Sequence, residues 1–283
     1  LLSAQSGNTG GLTWITAPSS GVATQLTATA NIGLGVNAVN SITTGDYNVG
    51  LGDEALTAVT TGSQNIGLGG YALGATTTGG TNTAVGYSSM ETNITGSSNV
   101  AVGYLSLRVN TSASYNTAIG YEAMKANTTG AENVSMGYQS LKANTTGAGN
   151  TTVGSQSLIA NTTGANNSSF GKYALAANTT GHSNVALGTS GLDANTTGVE
   201  NTSVGIGALG ANTTASSNVA VGAYSLTGNT TGVRNTSIGS SSLGANTTAN
   251  DNVAVGHYSL LANTTGTQNN ALGKGALDAN TTG

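Results

Sequence analysis

The sequence predicts an all-β fold, a parallel β-solenoid (β-roll) of fifteen 17-residue rungs, and three observations predict it. Asparagine recurs every seventeen residues from Asn31 to Asn269, fifteen times, with no insertion or deletion. Glycine stands four residues after each asparagine, and a large apolar residue stands three after it, as in Leu34, Val102, Ile119 and Phe170. The composition also cannot build an ordinary two-layer globule. Only 6% of the 283 residues are charged and 44 are glycine, with a single tryptophan and a single phenylalanine. An average soluble domain is about 25% charged.

Positions in a rung are counted 0 to 16 from each asparagine. The first strand covers positions 0–3. In "NVAVG" at 99–103, Val100 and Val102 share one face and Ala101 takes the other. The strand turns at the position-4 glycine, where positive φ suits a residue without Cβ. Asn99, Gly103, Asn116, Gly120, Asn133 and Gly137 are thus read as ladder and turn residues. A second short strand is expected around position 8, which is Leu or Met in fourteen rungs and Val39 in the other. This Leu, and the usual Ala at position 10, are expected to face inward. The phrase Asn-Thr-Thr-Gly at positions 11–14 makes the second turn. Positions 15 and 16 vary freely, as an exposed corner would. A helical solenoid is excluded, because seventeen residues with this glycine and β-branched content leave no room for paired helices. Stacked at ~4.8 Å, fifteen rungs make a rod of roughly 70 Å.

A single rod of this kind buries little for the seventeen residues ordered in each rung. Position 2 is always Gly, Ala, Ser or Thr, and position 7 is always Ala, Ser or Gly. Two uniformly small columns predict close approach of another chain along the whole length, and a homotrimer is the expected assembly. Residues 1–30, with Trp14 and Pro18, are expected to be a neck, and residues 31–283 the solenoid shaft. The last rung stops at Gly283, two residues short of a full repeat, and more chain is expected beyond it.

The strand phrases "NVAVG" at 99–103 and 218–222 and "NTAIG" at 116–120 resemble the head repeats of YadA-like trimeric autotransporter adhesins. The resemblance spans residues 31–283. It implies a left-handed parallel β-roll in which three chains pack side by side. The repeat here is longer, with the extra residues in the Asn-Thr-Thr-Gly corner. The segment "GNTGGLTWITAPSSG", residues 7–21, resembles connecting segments of bacteriophage tail-fibre proteins. Together the two resemblances imply a virion appendage, with a bacterial surface adhesin as the alternative.

Candidate chemistry is sparse. The net charge of −4 comes with no basic cluster to track phosphates, so nucleic acid is not an expected partner. No apolar run reaches the ~20 residues that span a bilayer, so no membrane insertion is expected of this segment. Cysteine is absent, which removes disulfides and thiolate metal sites. His182 and His257 lie at different rung positions five rungs apart and cannot share a metal or a proton relay. The carboxylates never recur at one position, unlike calcium-binding solenoids that need one in every rung. "GLGG" at 67–70 lacks the Lys-Ser/Thr of a phosphate loop. No enzyme activity and no cofactor are expected.

Twelve rungs carry Asn-X-Ser/Thr at position 11, from Asn93 to Asn280. They could be glycan acceptors. The structural reading outweighs this, because stacked asparagines form amide ladders and glycans on every rung would obstruct packing. The threonines at positions 12 and 13 raise ice binding as a remote alternative. They are adjacent in a turn, however, whereas that mechanism wants Thr-X-Thr facing outward together.

Tyr87, Tyr104, Tyr121 and Tyr138 occupy position 5 in four successive rungs. Position 9 brings charges beside them, notably Arg108 and Lys125. Aromatic rings flanked by charge form a possible glycan-contact surface. The bland reading is a stacking ladder that stiffens the rod. The expected function is a structural fibre shaft supporting host attachment, located on the virion. Its expected partners are further copies of itself and other virion or fibre proteins, with a host cell-surface glycan as the partner of the tyrosine surface if that surface is a contact site. A bacterial cell-surface location goes with the adhesin alternative.

Overall fold

The computed structural model describes residues 30–283, so the neck expected over residues 1–30 falls, but for Ala30, outside the described residues. The chain divides into two compact units, the first ending at Ala131 and the second covering Glu132–Gly283. Both are all-β. Each rung contributes one three-residue strand over positions 1–3. The first unit runs from β1 (Ile32–Leu34) to β6 (Thr117–Ile119), and the second from β7 (Val134–Met136) to β15 (Asn270–Leu272). Within each unit the strands pair in parallel and in sequence order. The register is seventeen residues throughout, as in Val100↔Thr117 and Val185↔Thr202. Equal positions therefore stack on one another. A one-residue slip would send every strand side chain to the opposite face, which accounts for a repeat without insertions.

The second strand does not form. Positions 5–9 are consecutive turns, and the position-8 residue has a left-handed backbone in each of the fifteen rungs, as at Leu107 (φ 50) and Leu158 (φ 51). Position 6 is often left-handed as well, as at Glu122 (φ 53) and Tyr224 (φ 56). A non-glycine residue in this region costs of order 1–3 kcal/mol and persists only where its surroundings hold it. Here the left-handed turn lets two consecutive residues, at positions 7 and 8, both point inward, as in Ala123 and Met124. A pleated strand could not do that. Position-10 alanines such as Ala126 and Ala143 are only half-buried, so the expectation that they face inward fails with the strand. Backbone bonds between rungs nevertheless continue through the turns, from Leu107 N–H to Ala123 C=O and from Leu158 N–H to Ala174 C=O, both 2.9 Å.

The position-4 glycine has two reasons to be invariant. Gly103 adopts φ 136, and a Cβ there would collide with the carbonyl of Gly120 one rung on.

The faces are reversed relative to the sequence expectation. Position 2 is buried in the described strands, and positions 1 and 3 face outward. The two small columns thus line the interior of each unit and offer no surface to another chain. Their size is set by how thin the rung is. Beside Gly67 the side chain of Leu56 lies 3.3 Å from where a Cβ would stand, and the carbonyl of Ala72 lies 3.1 Å away. The main large apolar side chain inside a rung is the position-8 Leu or Met, thirteen of which are fully buried, and the first rungs add Ile42 and Val59 at position 11. At about 1.5–3 kcal/mol each, they cannot alone offset the ordering of seventeen residues. Hydrogen-bond ladders carry much of the rest.

Two of those ladders are asparagine columns. At position 0, Asn82 Nδ2 donates to Asn65 Oδ1 (3.1 Å) and to the carbonyl of Gly96 (2.8 Å), while its backbone N–H also donates to Asn65 Oδ1. At position 11, Asn178 Nδ2 donates to Asn161 Oδ1 (2.9 Å) and to the carbonyl of Gly181 (3.0 Å). Both columns are buried. The corner is thus closed by amides that satisfy main-chain groups which would otherwise be orphaned in a dry interior.

Candidate functional site

What remains for function is the outside. Position 3 puts a large apolar side chain on the outer face in every rung of each unit, and position 1 adds Ile or Val in eight rungs, with Thr, Ser or Asn in the others. Examples are Ile66 and Leu51 in the first unit, and Phe170 (37% exposed) and Leu187 (47%) in the second. This follows from the thin interior, since the strand must present its larger alternating set to the side with room. Each unit therefore carries an apolar stripe down its sheet.

The position-5 tyrosines follow directly after the turn glycine and stand clear of the sheet, 44–51% exposed. Within the first unit they stack. Tyr87 and Tyr104 have ring centroids 6.0 Å apart with 14° between planes, and Tyr104 and Tyr121 have 5.3 Å and 18°. Tyr71, at position 6 of the preceding rung, meets Tyr87 edge-on at 5.7 Å and 77°. Sequence reasoning missed Tyr71 because it is one position out of phase, although the left-handed backbone it adopts (φ 60) brings its ring to the same column. Tyr138 belongs to the second unit and is half-exposed there. The offset-stacked rings turn much of their faces toward one another and their edges and hydroxyls toward water.

The charges beside this column are paired. Arg108 Nε donates to Glu91 Oε2 at 2.7 Å, joining position 9 of two successive rungs. Lys125 Nζ donates to Glu122 Oε1 at 2.7 Å, and Glu122 is buried. Glu122 was not singled out from sequence, because the adjacency of positions 6 and 9 depends on the turn that replaces the second strand. Of the turn and ladder residues, Asn99, Asn116 and Asn133 are buried, and Gly103, Gly120 and Gly137 turn each rung with φ 136, 136 and 140.

Other candidates resolve by position. The position-11 asparagines from Asn93 to Asn263 are buried, with their amides committed to the ladder, so they offer no acceptor for a glycan. The position-12 threonines spend their hydroxyls on backbone, as Thr162 Oγ1 does on the carbonyl of Thr179 (3.1 Å), which leaves only position 13 as an outward threonine column. Both histidines are exposed, and the His257 ring lies 3.7 Å from that of Tyr258. Among the described residues no group of three His, Cys, Asp or Glu could hold a metal ion. Shifted titrations are local. Arg234 hydrogen-bonds Asp251 and holds its carboxyl below the usual range, while partial burial raises that of Asp193. Among the described residues no helix is long and apolar enough to cross a membrane.

Neither a family model, nor a curated protein, nor a solved structure matches this chain.

Proposed function

We propose that this chain is a non-enzymatic structural shaft, a fibre segment of a phage tail fibre or similar virion appendage that carries a host-attachment part away from its anchor. The observation that carries the reading is the outward apolar column at position 3, joined at position 1 by Ile or Val in eight of fifteen rungs. Three-residue strands about 10 Å wide at ~4.8 Å spacing give about 50 Å² of face per rung. The nine rungs of the second unit then present roughly 430 Å² of outward strand face, with all nine position-3 residues and four of the nine position-1 residues apolar.

A second copy of the same chain is the occupant that fits. The stripe repeats with the rung, so only a partner with the same rung spacing can meet every position, and three copies packed through this face would close around a common apolar core. The interior cannot serve, since its small residues are already covered. The chain is weakly charged, with 6% charged residues, as suits a spacer. The adhesin head stays the second reading, because the same strand phrases carry that resemblance. It differs in predicting host-matrix binding by the rod itself and a bacterial surface location.

Sedimentation equilibrium under native conditions tests the assembly, with a mass of three chains expected and a mass of one chain overturning it. Val102→Lys with Val221→Lys places charge on the stripe of both units. It is expected to release monomers whose circular dichroism is unchanged. Immunogold labelling of intact virions against labelling of bacterial surfaces separates the two readings of where the shaft works.

A further inference from the structure

The tyrosine stack holds three exposed phenols face to face in successive rungs. We propose that Tyr87, Tyr104 and Tyr121 form an oxidative cross-linking site, where a peroxide-driven one-electron oxidant such as a haem peroxidase joins successive rungs through a carbon–carbon bond between phenol rings.

Three features of the column support it. The rings are near-parallel and stacked, 6.0 Å and 5.3 Å between centroids, so each phenol has another directly beside it. Each ring is 44–51% exposed, which lets an oxidant reach the phenol and lets water take its proton. The anchors are pinned. The Tyr87 carbonyl accepts from Leu105 N–H at 3.1 Å, and the Tyr104 carbonyl from Glu122 N–H at 2.9 Å. Two radicals held in this way meet without a search, so coupling within the chain outruns coupling between molecules.

The step balances. Each of two adjacent phenols gives one electron to the oxidant and its hydroxyl proton to solvent, leaving phenoxyl radicals with spin density on the ortho carbons. One ortho–ortho bond forms, and each ring regains aromaticity as its ortho hydrogen moves to the phenol oxygen. Two hydrogen atoms leave the chain in all, and one hydrogen peroxide is reduced to two waters. The product is a staple closing a seventeen-residue step. Tyr104 is stacked on both faces and takes part in either pairing, so it decides the yield.

The test treats the intact chain with horseradish peroxidase and hydrogen peroxide. Dityrosine fluorescence is followed, the product is sized on a denaturing gel, and the linked peptides are mapped by mass spectrometry. The expected product migrates as a single chain, lacks two hydrogens, and links Tyr104 to Tyr87 or Tyr121. Tyr104→Phe keeps a ring in the column and should preserve the fold while abolishing that product. Tyr115→Phe should leave it unchanged, although Tyr115 is the more exposed at 67%, because the preceding rung has Ser98 at its position. Undiminished intrachain dityrosine in Tyr104→Phe, or linkage that maps chiefly to Tyr115, overturns the proposal. So does fluorescence found only in species of two or more chains. The stapled chain should also melt at a higher temperature than the untreated one.

Discussion

The two units solve the same interior with different chemistry. In the first unit, position 2 is Gly33, Gly50, Gly67, then Ala84, Ala101 and Ala118, with no hydroxyl among them. In the second, serine and threonine enter the same column. Ser169 Oγ donates to the carbonyl of Ala174 at 2.9 Å, Ser203 Oγ to that of Ala208 at 2.8 Å, and Ser140 and Thr152 share a bond of 2.7 Å. The corner changes within the first unit instead: its first three rungs close position 11 with Ile42, Val59 and Thr76, all buried, and asparagine occupies that position in every later rung of both units. The interior therefore demands a given size at each position, and polarity is admitted wherever a turn carbonyl or a like neighbour satisfies it. Polar satisfaction and apolar filling are interchangeable here because each rung sees only its two neighbours.

The largest expected loss should be the same in both units. Leu107→Ala and Leu158→Ala each remove the fully buried position-8 leucine of a rung, and each is expected to cost about 2–5 kcal/mol. Urea denaturation gives the values. A unit that tolerated the change would have a second core not evident in its packing.

Position 2 separates the units more sharply. Ala118→Leu overpacks a closed interior and should cost about 1–3 kcal/mol. Ser203→Leu adds to this the loss of a buried hydrogen bond to the Ala208 carbonyl, which keeps the Leu192 N–H, about 0.5–1.5 kcal/mol more. Neutral results at both sites, measured as melting midpoints, would return the small columns to the surface.

The corner can be exchanged in both directions. Asn178→Val removes the donor to Asn161 Oδ1 and one of the two amides that donate to the carbonyl of Gly181, and Val59→Asn puts an amide between Ile42 and Thr76. Each is expected to lower stability by about 1–3 kcal/mol, read by thermal melts. A neutral Asn178→Val would mean that the ladder only fills space, as Val59 does.

Ser157→Ala is the mildest change. It deletes the 2.6 Å bond to Ser169, which keeps its own donation to Ala174. About 0.5–1.5 kcal/mol is expected, and amide exchange confined to that rung and its neighbours is the measurement that locates it.

Much of this architecture was legible in the residues, and the failures share one cause. The period, the parallel stacking, the turn glycine and the asparagine ladders all follow from identity repeated at fixed spacing, which only a solenoid explains. The position-5 tyrosines were legible for the same reason, since equal positions stack. The second strand was misread because leucine at positive φ is disfavoured locally, and no sequence pattern signals it. The faces were misread because alternation in "NVAVG" separates Val100 and Val102 from Ala101 without saying which set is inside. Elsewhere the larger set would be.

By itself, then, the sequence determined a seventeen-residue β-solenoid whose like residues stack in columns, because in-register parallel pairing rewards identity along the chain. Only the tertiary structure decided that the small columns line the interior and the large apolar ones face out. A rung this thin, closed on one side by left-handed turns, has room for one leucine and little else, so the remaining bulk must go to the surface.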